Sequence, residues 1–328
     1  MYKIKHRADG SIERYKARLI DVNNTFPHGD LHEEVYMKVP PGLEVCHSPG
    51  YIGSLNEYCI FTKYSSGSQV VLAVYVDDIL LAGLEISSHP QGYIMSQHKF
   101  TSDLLSEFNC HHFSPVMTPL DPSVKLALNM DAPDPSLYRR LIGKLNFLQH
   151  TRPDISFTVQ HLSQFLQKPQ VPDMLAAIHA LRYLLNDPAQ GILLSSSFDF
   201  SLQAYSDSDW ATCSISRKSV IGYYITLGGS PVSWKSKKQP TISLSSVEAE
   251  YKALRKVTAE VTWLTRLLGD RGLTVSSPVP ICCDSQAAIH IAKNPIFHER
   301  TKHIEIDCHY VRTCLSSGLI SLQYVSAA

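Results

Sequence analysis

Three acidic residues in the C-terminal half occupy positions from which a sheet and a helix could bring them together. Asp207 closes a predicted strand, Glu250 lies inside a predicted helix and Asp284 ends a later strand. In a sheet backed by that helix, the carboxylates can converge at one edge, and carboxylate oxygens are the ligands that Mg²⁺ prefers. Two such ions would activate a water and stabilise the leaving oxygen of a phosphodiester. Acids at strand ends and on helix faces are also ordinary surface features, and for any one residue that explanation is favoured.

A second acidic pair lies in the N-terminal half. Asp77 and Asp78 interrupt the apolar run VVLAVYVDDILLAG of residues 70–83, whose two β-rich halves predict a buried hairpin. Burying two adjacent carboxylates is costly unless a cation compensates their charge. A turn between strands also tolerates Asp, so the pair alone is a weak signal.

A basic cluster lies at the end of the third predicted strand of the C-terminal half, SPVSWKS. Lys235, Lys237 and Lys238 flank Trp234 and predict a compact basic loop that could contact phosphates and stack on a base. A solvated turn explains the same residues equally well. Four cations in the middle of the chain could also meet a nucleic-acid backbone, although cations on helix surfaces are the commoner explanation: Arg139, Arg140, Lys144 and Arg152.

The bulk composition limits what these residues can belong to. The chain has 328 residues, of which 44% are hydrophobic and 18% charged, so it can bury more than one core. Lys plus Arg equals Asp plus Glu at 30 each, so binding to nucleic acid requires local patches. The eight cysteines include no C-x-x-C pair and no leader opens the chain, which favours reduced thiols in an intracellular protein, cytoplasmic or nuclear. No apolar run is long enough for a membrane span, so we expect no membrane partner.

The periodicity of apolar residues predicts the elements that position the acids. Residues 198–328 alternate in the order β-β-β-α-β-α-α-β, and three helices are predicted between Pro133 and Asn186. Residues 1–31 are polar and basic, with a turn at Asp9 and Gly10 that predicts a short β-ribbon, whereas residues 39–55 predict a loop. The predicted fold class is mixed α/β (α+β) with several domains.

The last third of the chain resembles the ribonuclease H domain of copia-type retrotransposons. The motifs are AYSDSDWA, ISRKSVIGYY, LGGSPVSWKSKKQPTISLSSVEAEYKAL, CDSQAAIHIAKNP and HERTKHIEID. The resemblance implies that Asp207, Glu250 and Asp284 bind two Mg²⁺ ions, with Mn²⁺ as an alternative, and that the domain cuts the RNA strand of an RNA–DNA hybrid. It does not assign Asp209 or Glu248, and Glu248 lies about 200° around the helix from Glu250.

In this family a fourth acid follows the last strand, whereas this sequence stops at Ala328. We therefore expect the ribonuclease H-like domain to lack its last helix and one metal site to be weakened.

The N-terminal half resembles copia-type reverse transcriptases. DVNNTFPHGDLHEEVYMKVPPG, which begins at Asp21, is similar to their first palm motif, and VYVDDILLAG is similar to their catalytic hairpin. The resemblance implies that Asp21 and Asp77 hold two Mg²⁺ ions, that Asp78 completes the acidic cluster and that Phe26 selects deoxynucleotides. Without the family, Phe26 would be read as a core residue. The implied partners are an RNA template, a DNA primer and dNTPs, with fusion to protease and integrase in a Pol polyprotein.

The resemblance also divides the chain. It implies a partial fingers and palm remnant at residues 1–130, a helical connection region at 131–197 and the ribonuclease H-like domain at 198–328. The palm lacks three internal segments of the family, which fits either genomic deletion or mispredicted exon joins. We therefore expect polymerase activity to be lost, and the alternative function is a non-catalytic nucleic-acid-binding or inert remnant of a decayed element.

Overall fold

The computed structural model describes residues 84–121, 134–197, 199–213, 215–294 and 305–326, together with the backbone of five strands nearer the N-terminus. The chain divides into two compact units, Met1–Ala82 and Gly83–Ala328. Strands and helices both contribute to the described residues, which confirms the predicted mixed α/β class. The predicted boundaries at residues 130 and 197 stay predictions.

The first unit contains two small antiparallel sheets. Strands β1 (Tyr2–His6) and β2 (Ile12–Ala17) pair with each other, as predicted for the β-ribbon. The second sheet has the order β3 (Tyr51–Gly53), β4 (Ile60–Ser65) and β5 (Ser68–Ala73). The stretch 39–55, predicted as a loop, therefore contains a short strand, because Tyr51–Gly53 pairs with residues 61–63 of β4.

The second unit begins with a sheet that the sequence did not predict. Strands β6 (Glu85–His89) and β7 (Gly92–Ser96) form a hairpin, and β8 (Ile192–Ser195) completes the sheet by pairing with β7. A Cβ at Gly92, where φ is +150°, would lie 1.9 Å from the Leu194 carbonyl oxygen. A side chain at this position would therefore force β7 and β8 apart.

Four helices enclose the first core of this unit: α1 (His98–Glu107), α2 (Pro135–Leu148), α3 (Ser156–Leu162) and α4 (Val171–Leu184). The last three correspond to the three helices predicted between Pro133 and Asn186. Their apolar residues recur at helical spacing, so each helix presents one stripe to the shared core. The largest buried aliphatic residues of this cluster are Leu104, Leu105, Leu141, Ile142, Leu145, Leu148, Leu162 and Leu181.

The remaining elements form a sheet covered by helices in the predicted order. They are β9 (Leu202–Asp209), β10 (Val220–Leu227), β11 (Ser230–Lys238), α5 (Ser246–Asp270), β12 (Val279–Cys283), α6 (Gln286–Lys293), α7 (Glu305–Ser316) and β13 (Ile320–Tyr324). The strand order is β11-β10-β9-β12-β13. Strands β9 to β11 are antiparallel, whereas β12 runs parallel to both β9 and β13.

Helix α5 packs against this sheet through a continuous apolar stripe. Leu254, Val257 and Val261 recur at spacings of three and four residues and are buried against Ala204 and Ile281 of the central strands. Burying each such side chain contributes roughly 1.5–3 kcal/mol, so the stripe fixes the helix on the sheet. None of the helices in the described ranges combines the length and apolar character needed to cross a bilayer.

Candidate active site

Asp207 and Asp284 lie at the ends of adjacent parallel strands. In the register of β9 and β12, Ser206 is opposite Cys283, and the two acids are the next residue on each strand. Because parallel strands end at the same sheet edge, both carboxylates reach that edge. The charge of Asp284 raises the pKa of Asp207, in agreement with this proximity.

Glu250 joins the two acids from the first turns of α5. Its side chain is 8% exposed, and its Oε1 accepts a hydrogen bond from the Ser208 backbone N–H at 3.2 Å. Its Oε2 is buried and has no hydrogen-bond partner among the described residues. One carboxylate oxygen of Glu250, one of Asp284 and the Sγ of Cys283 all lie within 4.8 Å of one another.

The site concentrates negative charge that the described protein groups do not neutralise. Burial raises the pKa of Glu250 to about 8, and the charges of Asp207 and Asp284 add to this rise. Burial is also the largest cause of the raised pKa of Asp207, although one side of that residue is open to solvent. Burial, together with the charges of the neighbouring carboxylates, raises the pKa of the Cys283 thiol to about 11.

These observations fit a divalent cation. A buried carboxylate oxygen without a donor, beside two like charges, is unfavourable unless a positive charge lies next to it. Three carboxylates are hard oxygen donors of the kind that Mg²⁺ prefers. Asp207, Glu250 and Asp284 therefore make up a donor set suited to magnesium.

Glu248, unlike Glu250, makes its contacts at the start of α5. The Ser245 Oγ caps α5 by accepting the Glu248 N–H at 3.2 Å. The Glu248 carboxylate accepts the Leu244 N–H at 2.9 Å and pairs with Lys252 at 2.8 Å. The side chain of Glu248 thus fixes the start of α5.

Two other acids near the sheet differ in their surroundings. Asp209 lies on the same face of β9 as Asp207, two residues further on, and its charge raises the pKa of Asp207. Asp307, on α7, pairs instead with Arg255 of α5 at 3.3 Å. This ion pair gives Asp307 a role in joining the two helices.

A cleft of about 560 Å³ runs from the acidic edge across the open face of the sheet. Its lining includes Asp207, Asp284 and Phe157, which lies at the start of α3. Tyr205 and Tyr224 stand side by side, with ring centroids 6.4 Å apart. Such a surface offers aromatic faces to a ligand that reaches the carboxylates.

The prediction of a basic loop is wrong, because its residues belong to strand β11. Successive side chains of a strand point to opposite faces, so the lysines cannot form one compact loop. Trp234 donates its indole N–H to the Gln149 carbonyl at 2.9 Å, and Lys238 donates to the Gln164 Oε1 at 2.9 Å. Burial lowers the pKa of Lys235, and the charges of Lys237 and Lys256 lower it further. Lys235 alone of the three lysines lines the cleft.

The cations of the middle section are mostly used within the protein. Arg152 is 2% exposed and binds Asp154 through two nitrogens, at 3.0 and 2.7 Å. Arg140 and Lys144 both pair with Glu107 of α1. Arg152 is thus a core residue and no contact for a nucleic-acid backbone.

The predicted polymerase residues Asp21, Phe26, Asp77 and Asp78 lie outside the described residues, so their roles stay predictions. Cys283 is the site residue that sequence reasoning missed. Its position directly before Asp284, at the end of a buried strand, was the available signal.

Known proteins resemble this chain over nearly its whole length. The Retrovirus-related Pol polyprotein from transposon RE2 of Arabidopsis thaliana is 34% identical over 94% of this chain and 26% of its own length. The corresponding polyprotein from transposon RE1 of the same plant is 32% identical over 98% of this chain and 29% of its own length. The chain therefore spans less than a third of these relatives. The alignment with RE1 covers 427 positions, although the chain has 328 residues. Many positions of RE1 within the aligned range therefore have no counterpart in this chain.

No protein-family profile matches the chain. The crystal structure of RNase H1 from the halophilic archaeon Halobacterium salinarum NRC-1 is similar over 38% of this chain and 86% of that chain, at 16% identity. Its TM-score of 0.26 is too low to carry an argument.

Proposed function

Because the chain belongs to the retrovirus-related Pol polyproteins of copia-type transposons, we propose that its C-terminal domain hydrolyses the RNA strand of RNA–DNA hybrids. The observation that carries the proposal is the unpartnered, buried Oε2 of Glu250 beside Asp207 and Asp284. In a chain of this family, such a cluster is best explained as a site for divalent metal.

Asp207, Glu250 and Asp284 hold Mg²⁺ in this proposal, and Mn²⁺ can replace it because it accepts the same hard oxygen ligands. Two bound ions would supply an activated water and charge stabilisation for the leaving oxygen. The Ser208 N–H donates to the Oε1 of Glu250, and Oε2, which no described residue contacts by a hydrogen bond, is the atom we assign to the metal. The parallel ends of β9 and β12 fix the spacing of the two aspartates.

The cleft gives the hybrid a surface beside the acids. Tyr205 and Tyr224 offer aromatic faces for sugar or base contact, which is worth roughly 1–3 kcal/mol per stacked base. Lys235 adds one cation at the cleft wall. With so little positive charge described there, we expect modest affinity and dependence on the metal to neutralise the phosphate.

The N-terminal half retains polymerase motifs, and we propose that it no longer polymerises. Asp21, Asp77, Asp78 and Phe26 would contact the metal ions, the primer, the RNA template and dNTPs in an intact palm. The many aligned positions without a counterpart support the loss. Fusion to protease and integrase in a longer polyprotein belongs to the same proposal. Primer extension on an RNA template that disappears in Asp77→Asn would contradict the loss of polymerase activity.

The same internal gaps favour a second candidate, a non-catalytic remnant that binds nucleic acid or does nothing. The two candidates differ on whether the three carboxylates bind metal productively. A cleavage assay therefore separates them.

The experiment measures cleavage of a hybrid with labelled RNA by the purified chain in Mg²⁺ and in Mn²⁺. Asp207→Asn and Asp284→Asn each remove one ligand charge at nearly constant volume, and Glu248→Gln is the matched control outside the metal site. We expect cleavage by the wild type and Glu248→Gln and strong loss in both Asn variants. If neither the wild type nor any variant cleaves the hybrid while all remain folded, the second candidate, a non-catalytic remnant, is supported.

A further inference from the structure

We propose that the acidic site also binds a thiophilic divalent cation, Zn²⁺ or Cd²⁺, through Glu250, Cys283 and Asp284, and that such an ion competes with Mg²⁺. The inference rests on the proposed magnesium site, since the two ions share two carboxylates. It adds the thiol of Cys283, which magnesium chemistry does not use.

The geometry of the three donors supports a mixed site. A carboxylate oxygen from each acid and the Sγ of Cys283 lie within 4.8 Å of one another. Tetrahedral zinc, with bonds of about 2.0–2.3 Å, holds its ligand atoms roughly 3.3–3.8 Å apart. The three donors therefore need to close by about an ångström. Asp284 is exposed and lies just beyond the end of β12, so its side chain can make this adjustment.

The unpartnered oxygen of Glu250 provides an independent reason to expect a ligand here. Glu250 is 8% exposed, and no described residue donates to its Oε2. The Cys283 Sγ, in turn, accepts a hydrogen bond from the Ser285 backbone N–H at 3.4 Å, and thiol sulfur is a weak acceptor. Both atoms can therefore take up a cation without breaking a strong protein contact.

The chemistry of the donors separates the two classes of cation. Mg²⁺ takes oxygen ligands and leaves a thiol protonated, whereas Zn²⁺ and Cd²⁺ bind sulfur as the thiolate. When the soft ion binds, the S–H proton passes to solvent and an S–metal bond forms. Catalytic zinc sites commonly use three protein ligands with water in the fourth position, which matches the number of donors here. Occupation by the soft ion withdraws Glu250 and Asp284 from magnesium.

The test is a titration of the full chain with Cd²⁺, followed by the ultraviolet charge-transfer absorption of the cadmium–thiolate bond. Cys283→Ser is the test variant, and Cys282→Ser, which changes the neighbouring buried thiol on the same strand, is the matched control. Loss of a direct ligand should weaken binding at least about tenfold, since even outer-shell partners are worth 10–100-fold. We expect that loss in Cys283→Ser and wild-type affinity in Cys282→Ser.

If Cys283→Ser fails to fold, Asp284→Asn is the second test variant, because Asp284 is exposed. It should weaken Cd²⁺ binding while retaining the thiolate absorption at saturation. Excess Mg²⁺ should weaken Cd²⁺ binding to the wild type. Equal Cd²⁺ affinity in the wild type, Cys283→Ser and Asp284→Asn would overturn the inference. The absorption reports binding without turnover, so a chain that cleaves no hybrid would refute the proposed function and leave this test decisive.

Discussion

Two buried charges in the second unit have opposite surroundings. Arg152, in the helical core, has each side-chain nitrogen bonded, two to Asp154 and one to the Asp187 carbonyl at 3.1 Å. Its guanidinium also lies 5.6 Å from the ring centroid of Tyr183. Glu250, at the sheet edge, keeps one oxygen without a partner and faces two other carboxylates.

The difference separates a structural charge from a functional one. A buried ion that only supports the fold is surrounded by partners of opposite charge, because an uncompensated charge is strongly destabilising. Glu250 departs from this rule. Such a group is retained where a bound cation compensates its charge. Substitution of each residue in turn tests this distinction.

The largest expected effect is on stability, from Arg152→Met. The variant leaves Asp154 without its cation and should lower the free energy of unfolding by about 3–5 kcal/mol. Denaturant unfolding measures this loss. Arg140→Met is the control, because the Arg140 side chain is 58% exposed and should contribute less than about 1 kcal/mol. Similar losses of unfolding free energy in both variants would show that the buried Arg152 contributes no more to stability than the exposed Arg140.

Glu250→Gln should reduce hybrid cleavage at least about a hundredfold, as expected for removing a direct metal ligand. The rate of cleavage under single-turnover conditions measures the effect. Glu248→Gln changes an acid that caps the same helix and should retain cleavage. Comparable loss of cleavage in Glu250→Gln and Glu248→Gln would contradict the assignment of Glu250, rather than Glu248, as the metal ligand.

Magnesium should stabilise the wild type, because the ion binds the folded chain and not the unfolded one. At a hundred times its dissociation constant the gain is about 2.7 kcal/mol, seen as a higher melting temperature. Glu250→Gln should lose most of this gain. A thermal shift that is the same in wild type and variant would place the bound magnesium elsewhere.

A further expected effect is on how the stability of the metal-free protein depends on pH. Because the pKa of Glu250 is raised to about 8 from an ordinary value of 4.5, the folded chain binds this proton more tightly than the unfolded chain. In chelator, the wild type should therefore lose stability relative to Glu250→Gln as the pH rises from 4.5 towards 8. A difference that stays constant over this range would contradict the assigned environment of Glu250.

The sequence predicted the C-terminal domain well because its elements are long and periodic. The order of strands and helices after residue 198 is as expected. The resemblance selected Glu250 rather than Glu248, and the angle of about 200° between them on the helix predicted that one face cannot present both. The capping contacts of Glu248 give that distinction a physical cause. Membership in the Pol family is likewise confirmed by the relatives.

The predictions that were wrong or missing concern contacts that local sequence patterns do not encode. The lysines around Trp234 read as a loop because their charge hides the alternation of a strand. Burial of Arg152 depends on Asp187, 35 residues away in sequence. Cys283 was missed because a single cysteine beside one acid shows no metal-ligand spacing, and the second carboxylate, that of Glu250, comes from a separate element, α5.

The pairing of β7 with β8 constrains how this gene can be cut or recombined. Residues 92–96 and 192–195 form one ladder, although α1, α2, α3 and α4 lie between them in sequence. A chain truncated anywhere between residues 97 and 191 would contain only one of the two strands and would leave its edge unpaired. A shortened copy of the element that begins or ends within this stretch therefore loses the β7–β8 ladder.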